Sequence, residues 1–101
     1  MPSRKPRLHN AGRDEFLARL RTDFPEVVAQ IGRDEAGLLH CEVAVFRMAT
    51  EQALDEGRLW TAYLHFRLVE ELLAVADPYL LDALEISYLE DLALGACTPA
   101  R

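Results

Sequence analysis

From Asp14 onward the apolar residues recur every three or four positions, and no stretch alternates apolar with polar cleanly enough to make a strand. That period commits the backbone to helices, and each helix must bury its apolar stripe against another. The expected architecture is all-α, a compact four-to-five-helix bundle with an antiparallel central helical hairpin. At 101 residues, half of them apolar, the chain is one domain. A domain of that size buries roughly 60–65% of its unfolded surface and needs no metal or disulfide to do so.

Local signals divide the chain. Residues 1–12 read as a basic, solvated arm carrying Arg4, Lys5 and Arg7, residues 13–95 as one helical domain, and 96–101 as a frayed tail. A first helix is expected from about Asp14 to Arg21. A second follows, capped by Asp23, started by Pro25 and ended by Gly32. After a loop at 33–37, a third helix runs from about Leu38 to Glu56, with Leu39, Val43, Phe46, Ala49 or Thr50, and Ala53 or Leu54 on its apolar stripe and Glu42 largely off it. Gly57 ends it as a left-handed C′ residue.

The fourth helix, about Leu59 to Ala76, folds back on the third because the link is short. Leu59, Ala62, Tyr63, Phe66, Val69 and Leu73 form one apolar face, and Leu64, Leu68 and Leu72 another, so this helix is expected at the centre. Asp77 and Pro78 then cap and open a fifth helix that reaches about Leu94, with Leu81, Leu84, Tyr88 and Leu92 inward and Gly95 closing it.

Charge is divided as sharply as structure. Residues 1–33 hold seven basic groups against four acidic, a balance of +3, whereas residues 34–101 hold four against thirteen, a balance of −9. The 33 residues from Leu68 to Ala100 contain no Lys, Arg or His but seven carboxylates. A field not neutralised from within favours a basic partner and disfavours nucleic acid, whose phosphates need cations. No apolar run approaches the ~20 residues a bilayer requires, and none follows the basic start as a secretory signal would. Two cysteines, Cys41 and Cys97, do not make a secreted disulfide scaffold, so a reducing cytoplasm is the expected location.

Gly57, Ala62 and Phe66 have the G-x4-A-x3-F spacing of a tetratricopeptide unit, in which phenylalanine fills the gap behind the small residue. One copy cannot make a solenoid, and a tight helical hairpin accounts for the spacing. Phe66, Glu70 and Leu72 (F-x3-E-x-L), followed by Ser87, Tyr88, Leu89, Glu90 and Leu92 (S-Y-L-E-x-L), resemble the closing pattern of small uncharacterised bacterial helical domains, some of them encoded near polymorphic toxins. The resemblance spans about residues 38–95 and implies an immunity-like binding protein rather than an activity.

Chemistry-bearing clusters are sparse. His40, Cys41 and His65 lack any chelating spacing, so no metal and no cofactor is expected. Neighbouring acids on a helix normally face solvent, and no Ser-His-Asp order, phosphate loop or nucleophile elbow accompanies them, so an enzyme is not expected. The residues expected to carry function are Trp60, as a desolvated aromatic anchor, with Glu70, Glu71, Asp82, Glu85, Glu90 and Asp91 as an acidic surface. The expected function is masking of a basic partner, such as a toxin domain. The alternative is a homodimeric regulatory or scaffold subunit that associates through Leu64 and Leu68 of the fourth helix.

Overall fold

The structure, a computed structural model, describes residues 10–92. It is an all-α bundle: α1 (Arg13–Asp23), α2 (Pro25–Val28), α3 (Leu39–Asp55), α4 (Leu59–Val75) and α5 (Pro78–Ala83). The last helix continues from α5 without a break through a π-helical stretch at Leu84–Glu90. Among the described residues, none of these helices is long and apolar enough to cross a membrane.

Residues just before α1 are held by the bundle. Ala11 pairs with Ala76 in a single parallel bridge, its N–H donating to the Val75 carbonyl at 2.8 Å and its own carbonyl accepting from Asp77 N–H at 2.7 Å. Residues 11 and 12 of the expected arm are therefore tied to the start of α5, whereas Arg4, Lys5 and Arg7 lie outside the described residues. Glycine at position 12 suits this approach, since a Cβ there would lie 2.7 Å from Asp77 Oδ2. Glu15 reaches back to the Gly12 N–H at 2.8 Å and so caps α1.

Most helix ends follow the sequence signals. Gly57 has φ +75° and closes α3 in a Schellman arrangement, with Arg58 N–H on the Ala53 carbonyl and Gly57 N–H on that of Leu54. Asp77 caps α5 through the Leu80 N–H at 2.8 Å. The second helix departs from expectation. Asp23 is the last residue of α1, the chain turns at Phe24, and α2 is one turn that ends at Val28 rather than at Gly32. Phe24 must swing inward, where its ring lies 6.1 Å from Phe46 and edge-on to His65 at 4.6 Å. Gly95 and the end of the last helix lie outside the described residues.

The hub is α3, not α4. Glu42, Val43, Val45, Phe46, Ala49, Thr50 and Ala53 are all buried on α3, against α2, α4 and the last helix. On α4 the buried residues are Ala62, His65, Leu68, Val69 and Leu72, while Leu59, Tyr63 and Phe66 from the expected inward face are exposed. Phe66 therefore fills no gap behind Ala62, and the tetratricopeptide-like packing does not form.

Phe46 contacts Phe16, Phe24, His65 and Tyr88, with ring centroids 4.9–6.1 Å apart. Beside it lies a buried polar knot. Thr50 Oγ1 meets Tyr88 Oη at 2.6 Å, His65 Nδ1 at 2.7 Å and the Phe46 carbonyl at 3.2 Å. Thr50 has one proton to give, and every proton is placed if Tyr88 O–H and His65 Nδ1–H donate to Thr50, which donates to Phe46. The orphan is then the lone pair on buried His65 Nε2, a lesser cost than an orphaned N–H. Burial pushes the His65 pKa down, with Glu26 opposing and Arg58 adding to the shift, and burial likewise pushes the Tyr88 phenol up.

A second buried polar group sits at the start of α3. Glu42 accepts Arg13 Nε and Nη2 as a fork, both at 2.8 Å, and Gly37 N–H at 2.7 Å. That arrangement draws inward a carboxylate expected off the apolar stripe, and it closes the loop before α3 onto α1. The π-helical stretch has its own cause. It seats Leu84, Ser87 and Tyr88 in the core, as α5 seats Leu80 and Ala83, whereas the expected Leu81 and Leu92 are half-buried. Arg47 Nε donates to the Ser87 carbonyl at 3.1 Å, a side-chain partner of the kind a locally widened helix requires.

Candidate functional site

The expected site residues fall into three groups. Trp60 is 69% exposed near the start of α4, its indole stacked on Tyr63 with centroids 5.1 Å apart and planes at 26°. Glu70, Glu85, Glu90 and Asp91 are exposed and make no hydrogen bond or ion pair among the described residues. Glu71 and Asp82 are exposed but partnered.

Glu71 departs most from expectation. Arg19 of α1 donates to it at 2.9 Å and Arg67 at 3.3 Å, while Arg19 also holds Asp23 at 3.2 Å. These guanidiniums, Arg19 foremost, hold the Glu71 carboxyl below its ordinary range. Glu71 thus faces a groove of about 470 Å³ between α1 and α4, floored by Phe24, Leu64 and Leu68. An arginine from the basic first third has folded over one of the acids and removed it from the free set.

Asp82 belongs to another arrangement. His40 Nε2 lies 3.3 Å from Asp82 Oδ2, and His40 Nδ1 lies 2.8 Å from Ser87 Oγ. In the neutral imidazole, Asp82 accepts Nε2–H and Nδ1 accepts from the serine hydroxyl. The order Ser-His-Asp, absent from the sequence as a motif, is assembled here in space. Its chemistry is restricted, because Ser87 is 8% exposed in mid-helix, where the surrounding backbone N–H groups are committed to the helix and cannot form an oxyanion hole. The chain of bonds fastens the first turn of α3 to the last helix.

Tyr63 and Phe66, which the sequence placed on an apolar face of α4, are part of the outer surface. Tyr63, Phe66, Val69, Leu73 and Leu89 line a groove of about 360 Å³ between α4 and the last helix, with Arg67 and Glu70 on its rim. Tyr63 is 44% exposed and Phe66 and Leu89 are each 38% exposed, so large apolar area faces solvent beside free carboxylates. The signal was present in α4 itself. A helix apolar over most of its circumference leaves one face uncovered in a domain with so few neighbours. Tyr79 is 80% exposed at the start of α5.

Among the described residues no three His, Cys, Asp or Glu side chains converge as a metal site. Cys41 is a half-buried free thiol.

Residues 17–100 match the family described as Domain of unknown function (DUF7674), and the chain belongs to that family. No curated protein and no solved structure matches it.

Proposed function

We propose that this member of the DUF7674 family is a non-enzymatic protein-binding module of the immunity or antitoxin type, which masks a basic partner in the cytoplasm. The observation that carries this reading is the exposed Trp60–Tyr63 stack, whose Tyr63 shares a groove with the unpaired Glu70, in a molecule whose last helix also exposes the unpaired Glu85, Glu90 and Asp91. Rigid aromatics supply the area to be desolvated, and unneutralised rim charges orient the partner and speed its approach. Masking requires no chemistry from this chain. It requires that the carboxylates occupy cations the partner uses elsewhere.

The test is association with a basic toxin domain encoded beside this chain. The expected association rate falls at least tenfold between low and high salt, and the triple substitution Glu85→Lys, Glu90→Lys, Asp91→Lys slows it similarly. Trp60→Ala raises the dissociation rate. A rate indifferent to both salt and charge reversal would refute electrostatic masking.

One observation favours a second reading, self-association through α4: Leu59, Trp60, Tyr63 and Phe66 are all exposed on that helix. Leu68 is 2% exposed and Leu64 is half-buried, so the dimer surface anticipated from sequence packs inward. Leu59, Trp60, Tyr63 and Phe66 would have to replace it. A strictly monomeric species in sedimentation at micromolar concentration counts against that reading.

A further inference from the structure

We infer that the groove between α4 and the last helix receives one face of a basic amphipathic helix belonging to the partner. This inference rests on the masking reading and names the segment that is recognised.

The floor is apolar and linear. Tyr63, Phe66 and Leu73 lie at spacings of three and seven along α4, a stripe about 15 Å long at 1.5 Å per residue, and Leu89 faces them from the last helix. A second helix with apolar anchors at i, i+3 or i+4, and i+7 sets its ridge into such a trough. The other common peptide modes fit less well. Among the described residues the only extended pairing is the single Ala11–Ala76 bridge, so there is no sheet edge to which a strand could be added. A polyproline segment needs a slot between splayed rings, whereas the Trp60 and Tyr63 rings lie against each other.

Charge selects the sign of the occupant. Glu70 stands at the rim without a partner among the described residues, and Glu85 lies one turn before Leu89 on the same side of the last helix. The rim cation, Arg67, is engaged by Tyr63 Oη at 3.4 Å and Glu71 at 3.3 Å. The unmatched charge at the groove is therefore negative. A second copy of this chain would bring the same acids face to face, which like-charge repulsion disfavours. Lysines or arginines flanking the apolar anchors satisfy both features at once.

The chain has one tryptophan, and it stacks on a groove residue, so its fluorescence reports occupancy. The probe is an 18-residue synthetic peptide with Leu at helical anchor spacing and Lys on the flanks. Three comparison peptides are the same composition with its anchors scrambled, a Glu-for-Lys version, and a Pro-rich peptide of equal charge. The expected result is saturable binding at least tenfold tighter than that of any comparison peptide. The double substitution Phe66→Ala, Leu89→Ala should weaken it at least tenfold, and Glu70→Lys with Glu85→Lys about tenfold at low salt, with helicity by circular dichroism unchanged.

If the scrambled or Pro-rich peptide binds as well as the helical one, or the Phe66/Leu89 variant binds normally, the groove inference is overturned. Charge-dependent binding that ignores the groove would leave acidic masking standing by itself. Equal binding of the Glu-for-Lys peptide would overturn both.

Discussion

The two faces of α4 divide its residues in a way that hydropathy alone would not assign. The inner face holds Ala62, His65, Leu68, Val69 and Leu72, and the outer face holds Leu59, Trp60, Tyr63, Phe66 and Glu70. A histidine is buried while a tryptophan, a tyrosine and a phenylalanine are wet. The reason lies on α3, which presents Phe46 and Thr50 to α4, a ring to pack on and an oxygen to bond, and His65 satisfies both. Once that pairing sets the helix's rotation, Trp60, Tyr63 and Phe66, turned to the other side of α4, are left exposed. An inner face selected for fit thus leaves an outer face available for binding, and the two should respond differently to substitution.

The largest expected effect is at the inner knot. Thr50→Val keeps the shape but strips the partner from Tyr88 O–H and His65 Nδ1–H together, so a loss of about 3 kcal/mol is expected in urea unfolding. Adding Tyr88→Phe and His65→Leu removes the orphaned groups and should restore more than half of it. A loss under about 0.5 kcal/mol for Thr50→Val, the range of ordinary surface changes, would show that the knot does not hold α4 in place.

Glu42→Gln follows. Removing one member of a buried ion pair costs about 3–5 kcal/mol, but Arg13 is 41% exposed and can rehydrate, so about 2 kcal/mol is expected here. Arg13 holds the Glu42 carboxyl below its ordinary range, with the Gly37 N–H helping and burial opposing. Its contribution is therefore present above the unfolded value of about 4.3 and is lost as pH falls through the lower folded value. Acid titration of stability should be shallower in the Gln variant than in the parent.

His65 gives a smaller effect in a different window. Its folded pKa is depressed by burial, so the unfolded chain binds the proton first. Stability from this group is complete well above the unfolded value of about 6.5 and declines as pH falls through that value, until the lower folded value is reached. His65→Leu should abolish that slope between pH 5 and 7. A slope that survives in the variant would have to come from another group.

How much was legible follows the range of each interaction. Signals that act within one turn, such as Asp77 with Pro78 or Gly57 at a C′ position, gave helix ends that the structure keeps. Features set by contacts from afar did not show. Glu42 is buried because Arg13 arrives from 29 residues upstream, and Glu71 is partnered because Arg19 arrives from 52. The π-helical stretch has no composition of its own, since its cause is the pairing of Tyr88 with Thr50 and of the Ser87 carbonyl with Arg47. Trp60, Glu70 and Glu85 were readable as residue types suited to binding. The apolar groove beside them was not, because Tyr63, Phe66 and Leu89 have the character of core residues.

The smallest expected effect on folding is at the outer face, and it is the sharpest test of the contrast. Tyr63→Ala removes a ring that packs on Trp60 and lines the groove, yet Tyr63 is 44% exposed and its recorded hydrogen bond is the long contact to Arg67. Stability should change by no more than about 0.5 kcal/mol, as for other surface positions. Binding should weaken at least tenfold, because the same ring would be desolvated in the complex. A helix face kept for structure would give the reverse, a measurable unfolding cost with affinity intact. That result at Tyr63 would mean the outer aromatics steady α4 and that its docking role belongs to another surface.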